Sequence, residues 1–93
     1  MSIRAQVLDE FKRVAEQQQR NLPPMEDNLM LVDSGLDSLC IAVIVARLED
    51  TLGLDPFSID QDSPYPITVG EFVQFYERNA TRLRLPAMHR SVA

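Results

Sequence analysis

The stretch Asp33-Ser34-Gly35-Leu36-Asp37-Ser38-Leu39 decides the reading of this chain, because it joins a sharp turn directly to a helix start. Gly35 allows a tight turn that a residue with a Cβ resists. Asp37 is a good N-cap, since its carboxylate can accept a bond from the otherwise unsatisfied N–H groups of the next turn. Beyond it the chain stays rich in apolar residues to Leu52, and Gly53 supplies a left-handed stop, so a helix is predicted over Ser38 to Leu52.

Reading outward toward the N-terminus, Asn21 and Pro23-Pro24 break the chain and open a long connection to about Leu36. Leu29, Leu31 and Val32 in this connection are expected to lie against the core. Before it, Ile3, Val7, Leu8, Phe11, Val14 and Ala15 recur at steps of three and four, which predicts a first helix with one buried face. Ser2 can cap its start, and the helix is expected to fade at Gln17-Gln18-Gln19.

Toward the C-terminus, Asp55-Pro56 repeats the order of cap and proline and predicts a brief third helix through Phe57 and Ile59, ended by Pro64 and Pro66. Thr68 and Glu71 form a capping box, with Ile67 and Phe72 at hydrophobic-staple spacing. Val69, Phe72, Val73 and Tyr76 then make the buried stripe of a last helix. Pro86 is expected to block its extension, which leaves a single domain over 1–84 and a tail over 85–93 in which His89 is solvated. No segment alternates like a strand. The class is all-α: a small four-helix bundle with three longer helices, one short helix and a long first loop.

Composition narrows the function. The chain has 93 residues, room for one modest core, which leans away from an enzyme with a separate substrate domain. Fourteen Asp and Glu outweigh nine Lys and Arg, for a net charge of −5, which repels phosphate backbones and anionic lipid heads. Neither nucleic acid nor membrane is an expected partner. Cys40 is the single cysteine, so no internal disulfide can form, and no metal site is expected. No signal-like or membrane-length apolar run is present, and a cytoplasmic monomer is the expectation.

The glycine, a variable residue and then Asp37-Ser38-Leu39, followed by a helix that closes on Leu48-Glu49-Asp50 and exits through Gly53-Leu54, resembles the attachment-site region of acyl carrier and peptidyl carrier proteins. The order of helix, long loop, helix, short helix and helix is similar to that family's plan over roughly residues 3 to 80. The resemblance implies that Ser38 bears a 4′-phosphopantetheine arm, donated from coenzyme A by a phosphopantetheinyl transferase. It also implies that Gly35 and Asp37 shape the attachment site and that the chain is a carrier without catalysis of its own. The arm would hold an acyl or aminoacyl group as a thioester. Physical chemistry fits this role: a serine in the first turn of a helix stands beside backbone N–H groups and the positive end of the helix dipole, where a phosphodiester is well placed.

At about 100° per residue, Ile41, Ile44, Val45, Leu48 and Leu52 share the expected core side of the second helix. Leu39, Cys40, Val43, Ala46, Arg47 and Asp50 fall on the other. That apolar surplus makes Leu39, Val43 and Ala46 candidate partner contacts, with Arg47 and Asp50 as orienting charges. Burial of Val43 and Ala46 under the third helix is the alternative. Carrier proteins of fatty acid synthesis tend to show several acidic residues along this helix. Cys40, Val43 and Arg47 depart from that pattern, which favours a dedicated partner in a specialised pathway: an acyl- or amino acid-activating ligase, or a synthase or transferase. Cys40, with no histidine nearby in sequence, reads as an inert thiol.

Two rival functions remain. A cofactor-free helical interaction module would share every feature except a need for Ser38. A serine esterase of the Gly-Asp-Ser-Leu type matches loosely, but Leu36 separates the glycine from the aspartate and no strand precedes the motif. The only histidine, His89, also lacks an acidic residue three positions before it.

Overall fold

The computed structural model describes residues 2–62 and 64–92, with side chains for residues 2–62 and 64–80. The first helix, α1, spans Ile3–Gln17, where the Ser2 side chain accepts the Ala5 N–H at 3.0 Å. α2 spans Ser38–Leu52; Asp37 accepts the Cys40 N–H at 2.9 Å, and Gly53 ends the helix at φ +66°. α3 is a single turn, Pro56–Ile59, whose cap Asp55 accepts the Phe57 N–H at 3.1 Å. α4 spans Val69–Val92. Its capping box is formed in both directions, with the Glu71 N–H donating to Thr68 Oγ1 and the Thr68 N–H to Glu71 Oε1, each at 3.1 Å. The fold is thus the all-α bundle that the helical periodicities predict.

The tail expected over 85–93 is a correction. α4 continues through Pro86 to Val92. A proline inside a helix removes one backbone bond, and the flanking Leu, Arg, Ala and Met residues are good helix formers, so helix persists across it. The side chain of His89 lies outside the described residues.

α1 packs on α2 and α4, and α3 on α4. The core holds Val7, Phe11 and Val14 of α1, Ile44 and Leu48 of α2, and Val69, Phe72, Val73 and Tyr76 of α4, all essentially sealed from solvent. Phe11 and Phe72 meet edge to face at 5.3 Å, while Phe72 and Tyr76 stack tilted at 5.2 Å. Ile3 and Leu8 complete the predicted α1 stripe as half-buried flanks.

The long first loop is stitched to the start of α4. The Leu31 N–H donates to Ile67 O, Val69 N–H to Leu29 O, and Gly70 N–H to Asp27 O, at 2.8, 2.8 and 2.9 Å. The loop carbonyls thereby satisfy N–H groups that the first turn of a helix leaves unpaired. Gly70 makes the approach possible: a Cβ there would stand 2.9 Å from Asp27 Cβ and 3.0 Å from its carbonyl oxygen. A short 3₁₀ helix, Leu31–Asp33, follows. Leu31 is buried and Leu29 half-buried, but Val32 departs from expectation at 78% exposed, because the 3₁₀ turn rotates it away from Leu31. Among the described residues no helix is long and apolar enough to cross a membrane.

Candidate functional site

The approach to Ser38 is held from both sides of Gly35. Ser34 is fully buried; its hydroxyl donates to Leu31 O at 2.7 Å and accepts the Leu36 N–H at 3.3 Å, which locks the 3₁₀ turn to the next step of chain. Gly35 then sits at φ +87°, a left-handed conformation that costs other L-residues. Arg20, just past α1, donates to Gly35 O at 2.9 Å and lies 3.6 Å from the Asp37 carboxylate. The turn that delivers Ser38 is therefore anchored to the end of the first helix.

Asp37 holds a carboxyl below its ordinary range, first because the Cys40 N–H donates to it, with the Arg20 charge adding to the effect. An ionised cap of this kind keeps the first turn of α2 formed. Ser38 is exposed, the first residue of that turn. Gly35, Asp37 and Ser38, near neighbours in sequence, form one junction from turn to helix.

An open apolar groove of about 570 Å³ begins at Ser38. Its walls are the loop residues Leu31, Val32 and Leu36, the α2 residues Ile41, Ala42 and Val45, and Phe57 with Tyr65, Pro66 and Ile67. Ser38, Ile41, Ala42 and Val45 stand at positions i, i+3, i+4 and i+7, so the serine heads the helical row that lines the groove. Sequence reasoning missed this face. The row was legible in retrospect, but the opposite wall comes from the segment between α3 and α4, whose placement no local periodicity announces.

The proposed contact face of α2 divides. Leu39 is 71% exposed beside Ser38, and Ala46 and Asp50 are also exposed. Val43 is half-buried against the core. Cover of Ala46 by α3 is not realised; Phe57 lines the Ser38 side of α2 instead. Cys40, expected to face outward, is buried at the core edge, one turn before Ile44, because α1 packs across that side of α2. Arg47 donates through Nε to Glu10 Oε1 at 2.7 Å, where it balances a carboxylate only 5% exposed overall. Glu10 is a buried charge that the α1 pattern alone does not reveal, since its partner lies 37 residues away.

A pantetheine-sized group is compatible with this geometry. The serine is accessible at a helix N-terminus, and the surface leading from it is apolar and open. Comparison with family models, with curated proteins and with solved structures gave no match.

Proposed function

We propose that the chain is a non-catalytic carrier protein that takes a 4′-phosphopantetheine arm on Ser38 and presents an acyl or aminoacyl thioester to partner enzymes. The observation that carries this reading is the position of Ser38: exposed, in the first turn of α2, behind a rigid Gly35 turn and at the head of an apolar groove. In this reading a separate transferase catalyses attack of the Ser38 hydroxyl oxygen on the pantetheine-side phosphorus of coenzyme A; the serine loses its proton, a P–O bond forms to Ser38, the phosphoanhydride bond breaks, and adenosine 3′,5′-bisphosphate leaves. The arm supplies the thiol chemistry, and the chain supplies position and a surface.

Partners of the proposed class are activating ligases, synthases or transferases. They would dock around exposed Leu39, beside the serine, and Ala46, with Asp50 among the rim charges. Arg47 serves the α1–α2 contact through Glu10, so its removal would disturb the fold as well as any docking.

Intact-mass measurement after incubation with a promiscuous phosphopantetheinyl transferase, magnesium and coenzyme A tests the reading. Wild type is expected to gain one arm and Ser38→Ala none. Equal gain in both would move the site elsewhere, and no gain in wild type would favour a cofactor-free interaction module. Hydrolysis of a model ester by unmodified protein would instead favour the esterase. For docking, Leu39→Ala is expected to weaken loading by a cognate enzyme more than tenfold, about 1.4 kcal/mol, with unchanged circular dichroism.

A further inference from the structure

Tyr76 carries the one buried side-chain polar atom without a hydrogen-bond partner among the described residues. The residue is fully sealed from solvent, so the unmade bond is a standing cost that a purely structural phenylalanine would avoid. Its surroundings locate the hydroxyl. The Tyr76 ring packs against Phe57 at 6.4 Å, and Phe57 itself lines the groove. The groups whose charge acts on the hydroxyl are Asp55, two residues before Phe57, Glu49, one turn beyond Val45, and Tyr65. Val45, the last residue of the row, Phe57 and Tyr65 all line the groove. Tyr76 thus adjoins the groove through Phe57 rather than lining it.

Phe57 is suited to move. It is half-buried and belongs to a helix of a single turn, Pro56–Ile59. Its neighbours Tyr65, Phe72, Phe75 and Tyr76 form an aromatic bed at 5.0 to 6.4 Å on which the ring can be re-seated. Burial, reinforced by the nearby acidic groups, keeps the Tyr76 hydroxyl protonated, so at neutral pH its O–H is there to donate to an acceptor.

We infer that the groove extends behind Phe57 to the Tyr76 hydroxyl, and that the chain shelters an acyl cargo bearing an oxygen acceptor, such as a keto group, partway along an otherwise apolar chain. The inference rests on the carrier reading, since the cargo arrives on the Ser38 arm. A plain hydrocarbon chain fills the groove but leaves the hydroxyl unpaired; an oxygenated chain satisfies it. Discrimination of this kind comes from the penalty of the unmade bond rather than from added contact area.

The test loads the protein from octanoyl-, 3-oxooctanoyl- and 5-oxooctanoyl-coenzyme A with a transferase and confirms each product by intact mass. Urea unfolding then compares the loaded forms. At least one oxo chain is expected to raise the midpoint above the octanoyl form by about 0.5 M in wild type. Tyr76→Phe should remove that difference while loading normally. Unloaded Tyr76→Phe should be at least as stable as wild type; a clear loss would reveal an existing partner such as a bound water and overturn the inference. Equal midpoints for oxo and plain chains in wild type, or a difference that survives in Tyr76→Phe, also overturn it while leaving the carrier reading intact. Absence of any mass gain on Ser38 would overturn both. Phe57→Ala is a second probe, expected to keep the preference for the oxo chain because the ring covers the hydroxyl and does not bind the oxygen.

Discussion

Phe72→Ala is the sharpest test of how the bundle is held together. Phe72 is fully buried, meets Phe11 edge to face at 5.3 Å, and contacts Tyr76 at 5.2 Å and Phe57 at 6.0 Å. It thus joins α1, α3 and α4 in one aromatic cluster. Truncation loses the transfer energy of the ring and leaves a cavity that helices capped at Ser2, Thr68 and Asp55 cannot easily collapse, for a cost of about 3 to 5 kcal/mol. A domain of this length holds roughly 5 to 14 kcal/mol in total, so the variant would retain a fraction of its stability. With a urea m-value of about 1 to 3 kcal/mol/M, the midpoint should fall by about 2 M. Equilibrium urea unfolding followed by far-ultraviolet circular dichroism reads this directly. A fall of less than about 0.5 M at unchanged m-value would show that Phe72 does not occupy the centre of the core and would refute the α4 register.

Gly70→Ala should destabilise by about 1 to 3 kcal/mol despite the better helix propensity of alanine, because the added methyl meets the Asp27 backbone; a neutral result in urea unfolding would mean the loop is not stitched to α4. Arg47→Ala should cost about 1 to 3 kcal/mol by leaving the Glu10 carboxylate buried alone, and Glu10→Gln should make the same substitution much milder, as a double-mutant cycle would measure. Asp37 and Glu71 are both held below the ordinary carboxylate range by backbone N–H donors, from Cys40 and from Ile67 respectively. On acidification the unfolded chain protonates first, so their contribution is complete above about pH 5 and is lost as the pH falls through about 4 and then through the lower folded values. Glu71→Gln should flatten the acid limb of a stability-against-pH curve, and an unchanged limb would count against the capping box.

Much of this architecture could be read locally. Caps at Ser2, Asp37, Asp55 and Thr68 and the stop at Gly53 act within a turn of their own residue, so sequence reports them faithfully. What sequence hid was long-range or energetic. The Glu10–Arg47 pair turns a supposed rim charge into the counter-ion of a buried carboxylate, and neither residue signals the other locally. Gly70 looks like an ordinary weak helix position until the Asp27 backbone is placed against it. Pro86 reads as a barrier, yet helix continues past it to Val92. Cys40 reads as outward because the expected core arc of α2 runs from Ile44 to Val45, with its centre near Ile41; α1 shifts that arc toward Cys40, Ile44 and Leu48, which leaves Val45, at its far edge, on the groove.

That shift divides α2 into three faces, with a consequence for the carrier reading. Cys40, Ile44 and Leu48 face the core, Ser38, Ala42 and Val45 face the groove, and Leu39, Ala46 and Asp50 face solvent. At 100° per residue the groove row and the solvent row are separated by roughly 100° around the helix. A partner that grips Leu39 and Ala46 therefore leaves the groove uncovered, and a cargo seated in the groove leaves Leu39 free. Substitutions on the two faces should then act independently: Leu39→Ala on loading by a partner, Tyr76→Phe on the stability of the loaded form, with each effect the same size in the double variant as in the single one. Strong coupling between them would mean that the partner enters the groove itself, and that one face of α2 serves both tasks.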